Sequence, residues 1–164
     1  MRLFELLLLL APFAQLQVPD TDVTLPPHAQ VALQAQGRGV QIYRCAPQGV
    51  AYEWAFQAPE AKLYDASGAE VGTHGAGPTW TWKDGSSVTG KLLAQRVSPN
   101  PLNINWLLLA ATPASSPAGA LSRIAFVRRS ETKGGIPPAD GCDAAHVGAT
   151  VRVPYLAEYT FYTR

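Results

Sequence analysis

The chain reads as an all-β domain: a single antiparallel sandwich or barrel of about nine or ten strands, with one long loop tied by a disulfide. Stretches of period-two hydrophobicity recur along it, turn signals separate them at fairly regular spacing, and no amphipathic helix of useful length appears. Its 164 residues fit one domain of roughly 100–200 residues, large enough to stay folded without a metal or a partner.

The first segment, MRLFELLLLLAPFAQLQ (1–17), places Arg2 ahead of an apolar stretch at 6–14 and then small and polar residues, the layout of a secretory signal peptide. That stretch is shorter than the about 20 apolar residues a resident membrane helix needs, and Pro12 and Pro19 would interrupt a buried one. The expectation is a secreted protein, extracellular or periplasmic, with cleavage between 14 and 18 and no transmembrane segment in the mature chain. Residues 18–30, with Pro19, Pro26 and Pro27, form a proline-rich tether, and 31–164 form the single β-domain.

Within that domain Val31, Leu33 and Ala35 alternate with polar or small neighbours. Val40 and Ile42 alternate with Gln41 and Tyr43, which predicts two strands around Gly37-Arg38-Gly39. Tyr52, Trp54 and Phe56 share a parity in a strand that Pro59 should end. Asp65-Ala66-Ser67-Gly68 and Asp84-Gly85-Ser86 are turn signals, predicting hairpins of 62–64 with 70–73 and of 80–83 with 88–95. The apolar run Trp106-Leu107-Leu108-Leu109-Ala110-Ala111 could be a buried strand or part of a helix, and its length and flanking prolines favour a central strand. A strand is expected at 121–130, an aperiodic loop at 131–150, and a last segment whose Val151, Val153, Tyr155, Ala157, Tyr159 and Phe161 form an apolar face. Pro154 marks a bulge or an edge in it.

Cys45 and Cys142 are the two cysteines, and in an exported chain an even pair reads as a bridge. Without export they would be two buried, reduced thiols. The formal charge of +1, from 13 basic and 12 acidic residues, gives no footprint for nucleic acid. The local pair Arg128 and Arg129 reads as a solvated strand end.

The motifs GVQIYRC (39–45), WAFQAPEAKLYD (54–65), GTHGAGPTW (72–80), DGSSVTGK (84–91), NWLLL (105–109), TKGGIPP (132–138), GCDAAH (141–146) and VPYLAEYTFY (153–162) occur in that order. Together they closely resemble the family catalogued as domain of unknown function 3455, from about Val31 to Tyr162. The resemblance implies secretion and no particular activity. No cofactor is expected: Gly37-Arg38-Gly39-Val40-Gln41-Ile42 lacks the third glycine of a dinucleotide fingerprint and leads into a strand.

The segment at 72–80 carries the chemistry most suggestive of a site. Its glycines allow close approach, His74 can donate, accept or titrate near neutrality, and Trp80 offers a flat face suited to a sugar or another polar ring. The same residues would equally build a strand connection, with Trp80 in the core. Trp82 shares the parity of Trp80 and so its face. Asp143 and His146, held by the bridge, form a second candidate cluster, although Asp143 also suits a loop cap. Nothing in the spacing demands a metal, and no nucleophile elbow is present. The leading expectation is a non-enzymatic binding or envelope-associated module for a polysaccharide or another cell-envelope ligand. The alternatives are an extracytoplasmic hydrolase using His74 with Asp143 or His146, and a purely structural surface protein.

Overall fold

The computed structural model describes residues 23–164, so the expected signal peptide and the first part of the expected tether lie outside the described residues. Among the described residues there is no α-helix, and hence no helix long and apolar enough to cross a membrane. Eight antiparallel strands close into a barrel in which each pairs with the next and the last returns to the first. They are β1 (Gln30–Gln48), β2 (Ala51–Tyr64), β3 (Glu70–Gly75), β4 (Thr79–Trp82), β5 (Ser87–Arg96), β6 (Trp106–Pro113), β7 (Phe126–Gly134) and β8 (Thr150–Thr163).

Eight strands replace the nine or ten predicted because two breaks are absent. Gly37 and Gly39 do not turn the chain: β1 runs straight through them, and Gly37 leaves room for the Tyr159 ring, which would lie 2.5 Å from any Cβ placed there. Nor does Pro59 end its strand. β3 pairs only with residues 61–64 of β2, so Pro59 has a free edge on one side, the setting in which a sheet tolerates proline. The predicted hairpin turns are present. Asp65 accepts from the backbone of Ser67 and Ala69, and Asp84 accepts from the backbone and hydroxyl of Ser86.

The two ends of the barrel differ. At the end carrying the β2–β3, β4–β5 and β6–β7 connections, the amide of Ala120 donates to Asp84 and that of Leu121 to Ser86 Oγ. This pins the β6–β7 loop and places Leu121 and Ile124 in the main core with Leu63, Val71, Trp82 and Phe161. Residues 121–125, expected to begin a strand, are therefore part of the seal. On the outer face Val23 packs with Leu108, Phe126 and Tyr162, so the described part of the tether lies against the barrel wall.

At the opposite end Cys45 is bonded to Cys142 in the β7–β8 loop. The loop is further held by Trp54, which donates to the Asp140 carbonyl, and by Tyr43, which donates to that of Gly135. The bridge closes a loop of about 100 residues, for which chain entropy gives about 4–5 kcal/mol. Replacing both cysteines by Ser should lower the unfolding free energy towards that amount while leaving the far-ultraviolet circular dichroism strand-dominated. An unchanged denaturant midpoint would show that the bridge does not constrain the unfolded chain.

Candidate functional site

Short strands open the barrel wall. β3 has 6 residues and β4 has 4, against 14 in β2 and 10 in β5. The β4–β5 ladder stops at Thr89 and the β2–β3 ladder stops at Ala61. Beyond those points β2 and β5 run on with no ladder between them, so a gap stands above the β3–β4 turn. A bulge adds Gln57 to one flank and Leu93 to the other, and bulges commonly end pairing beside barrel rims and sites.

Through the gap lies a cavity of about 310 Å³, walled by Phe56, Gln57 and Pro59 of β2, His74, Gly77 and Pro78 around the turn, and Trp80, Leu107, Leu109, Arg129 and Tyr159. A second space of about 360 Å³ shares Phe56, Leu107 and Arg129 with it and extends past Gln41, Tyr43 and Leu92. The rim is apolar and open: Phe56, Leu92 and Leu93 are each about half exposed. Of the large hydrophobic side chains left exposed among the described residues, Val31 alone lies at the start of β1, by the sealed end. The others, including Val50, Val97, Leu102, Ile136 and Val147, gather at the open end or along the gap.

The structure brings three of the proposed site residues to the interior. His74 pairs across strands with Trp80, and their rings stack 4.3 Å apart at 8°. Trp80 is 1% exposed, and Gly90 leaves its ring room, since a Cβ there would sit 2.9 Å from it. Trp82 does share the face of Trp80, but that face is the inner one, where it packs against Phe161. Asp143 and His146 stand elsewhere, on the exposed β7–β8 loop, where the His146 ring bonds the Asp143 carboxylate at 2.7 Å. Hydrogen bonds from His146 and the Ala145 amide hold the Asp143 carboxyl below the usual carboxylate range. Among the described residues no hydrogen bond or ion pair joins His74 to either, and no three His, Cys, Asp or Glu side chains converge as a metal site.

Arg129 is the residue that sequence reasoning missed. Rather than a solvated strand end, it points inward from β7 opposite Leu107 and Tyr159. Its Nε and Nη2 donate to the Asn105 carbonyl at 3.1 and 2.7 Å. Arg128, on the outer face, places its guanidinium 5.6 Å from the centre of the Tyr162 ring. The signal available in the sequence was parity: Val127 and Arg129 alternate with Phe126 and Arg128, so one arginine had to face each way.

The cavity's other polar groups are uncharged at neutral pH. Burial pushes the hydroxyls of Tyr43, Tyr155 and Tyr159 above their ordinary value, an effect that the Arg129 charge partly offsets. Burial also lowers His74 to about 4, opposed by its hydrogen bond with the Thr79 carbonyl and assisted by Arg129. That bond makes Nδ1 the protonated ring nitrogen of a neutral imidazole. Trp80 Nε1 and the Gln41 amide nitrogen are buried without a hydrogen-bond partner.

His74 makes stability depend on pH with a definite sign. In the unfolded chain it binds a proton below its ordinary value of 6.5, whereas in the fold it does so only near 4. Stability is therefore full above about pH 6.5 and falls as pH drops towards 4, by about 3 kcal/mol. His74→Phe should remove this part of the acid sensitivity, read as the change in unfolding free energy between pH 7 and pH 4. An equal loss in parent and variant would show that His74 is not held neutral. Trp80→Ala should cost about 3–5 kcal/mol, the usual range for removing a buried aromatic side chain.

No curated protein and no solved structure matches the chain. A family model described as "Protein of unknown function (DUF3455)" matches residues 26–163, which takes in all eight strands and the cavity they enclose, and the chain belongs to that family.

Proposed function

We propose that the protein is a non-enzymatic binding module that takes a small, largely apolar molecule into the open end of its barrel. One observation carries this reading: a gap between β2 and β5, rimmed by exposed Phe56, Leu92 and Leu93, leads to an interior cavity walled by aromatic and aliphatic side chains. Barrels of about eight strands have an interior wide enough either to fill with side chains or to hold one small ligand. This one does the first at the sealed end and the second at the open end. The cavity volume is at the low end of the range for ligand sites, about 300–1,000 Å³.

A polysaccharide chain, the expectation from Trp80 and Trp82 as an aromatic platform, is less well served, because both rings are turned inward and buried. The hydrolase alternative has less behind it still. His74 bonds a backbone carbonyl instead of an acid, while Asp143 and His146 bond each other on an exposed loop. Export of the protein remains part of the proposal, supported by the Cys45–Cys142 bridge.

The reading is tested by filling the cavity. A neutral apolar probe such as 1-octanol should bind saturably and change the fluorescence of Trp80. Leu107→Trp, at a half-buried wall position shared by both spaces, should weaken that binding at least tenfold while the melting temperature stays within a few degrees. Undiminished binding to the filled variant would place the probe on the outer surface and refute the reading.

A further inference from the structure

Among the described residues Arg129 is the only charged side chain on the walls of either space. No carboxylate contacts it among the described residues; it hydrogen-bonds the Asn105 carbonyl through Nε and Nη2 and the neutral hydroxyl of Tyr159. A guanidinium has five N–H donors in a flat fork. Using the Nε–Nη2 side on one carbonyl leaves the other side, one N–H from each of Nη1 and Nη2, parallel and without an anionic partner among the described residues. Two further buried donors on the same walls, Trp80 Nε1 and the amide nitrogen of Gln41, also lack a partner.

We propose that Arg129 is the anion-recognising group of this cavity and that the ligand is a small amphipathic carboxylate, its acid group on the Arg129 fork and its apolar body against Leu107, Leu109 and Trp80. The inference rests on the cavity-binding reading and names its ligand class. A cation left unpaired in a low-dielectric space costs free energy that a matched anion offsets. A carboxylate fits on two counts. Its two coplanar oxygens match the parallel N–H pair of the fork. Its single negative charge equals the single positive charge present, whereas a phosphate monoester near its dianionic form would bring a second charge into a space that holds no second cation. The surrounding tyrosines and His74 stay neutral, so none of them competes for the arginine as an anion.

The test compares octanoate, 1-octanol and octyl phosphate by calorimetry and tryptophan fluorescence on the parent protein and on Arg129→Met and Arg129→Lys. Octanoate should bind the parent at least tenfold more tightly than either of the others. Arg129→Met should bring octanoate down to the octanol level with octanol unchanged, and Arg129→Lys, which keeps the charge but not the fork, should fall between. Melting curves show whether each variant is folded, and the ratios measured on the parent need no variant. If octanoate and octanol bind the parent equally, or if folded Arg129→Met binds octanoate as the parent does, the inference is overturned while the cavity-binding reading stands. Tighter octyl phosphate overturns the carboxylate assignment. Binding of none of the three overturns the cavity-binding reading, and the inference with it.

Discussion

Residues 30–44 of β1 pair with residues 150–163 of β8, and every other feature of the molecule depends on that closure. A meander of eight strands would otherwise expose two long edges to association, and joining the first strand to the last removes both. Closure also creates an inside. Gly37 admits the Tyr159 ring from the opposite strand, and Gly90 admits Trp80, so the interior packs around rings that occupy space the glycines leave. The disulfide acts on the same closure from outside. It ties β1 near its end to the loop leading into β8, where the backbone of Cys45 also exchanges hydrogen bonds with Gly148 and Ala149.

What the closed barrel leaves open is set by strand length. A closed ring of equal strands would have a continuous wall, but β3 and β4 stop short while β2 and β5 continue, so the wall is low on one side. The sealed end spends its apolar side chains on a core of Leu63, Val71, Leu121, Ile124 and Phe161. The open end instead leaves apolar side chains in solvent and a guanidinium on the cavity wall. Exposed hydrophobic groups gathered in one region, and a cation without an acid, are each unfavourable for a free-standing fold; a ligand that covers the first and pairs the second relieves both.

The sequence was most informative where local chemistry decides structure. Asp65-Ala66-Ser67-Gly68 and Asp84-Gly85-Ser86 specify their turns through side-chain hydrogen bonds to nearby backbone, and both turns form. The apolar run at Trp106 becomes a strand, as its flanking prolines suggested. It was misleading where a long-range partner decides. Gly37 and Gly39 resemble a turn until the strand across from them is known, and Pro59 resembles a stop until its free edge is known. At Gln41 and Tyr43 the apolar parity of Val40 and Ile42 marks the outer face, because this barrel's interior is partly polar. The same polarity hid Arg129. A basic residue at the end of an apolar strand is usually solvated, and only the ring of strands shows that it faces a cavity. Of the candidate site, the grouping of His74 with Trp80 was legible in the segment at 72–80, whereas their stacking across β3 and β4, their burial and their company were not.

Entry of a small molecule into the open end of the barrel can be measured residue by residue. The most direct measurement is an amide and indole nuclear magnetic resonance titration of the protein with octanoate, following each assigned resonance. Binding inside the cavity requires the largest shifts at the Trp80 indole N–H, Leu107, Leu109 and Arg129, with residues of the sealed end such as Asp65, Asp84 and Leu121 unmoved. Shifts concentrated on the outer face, or around Asp143 and His146 with the cavity residues silent, would contradict it.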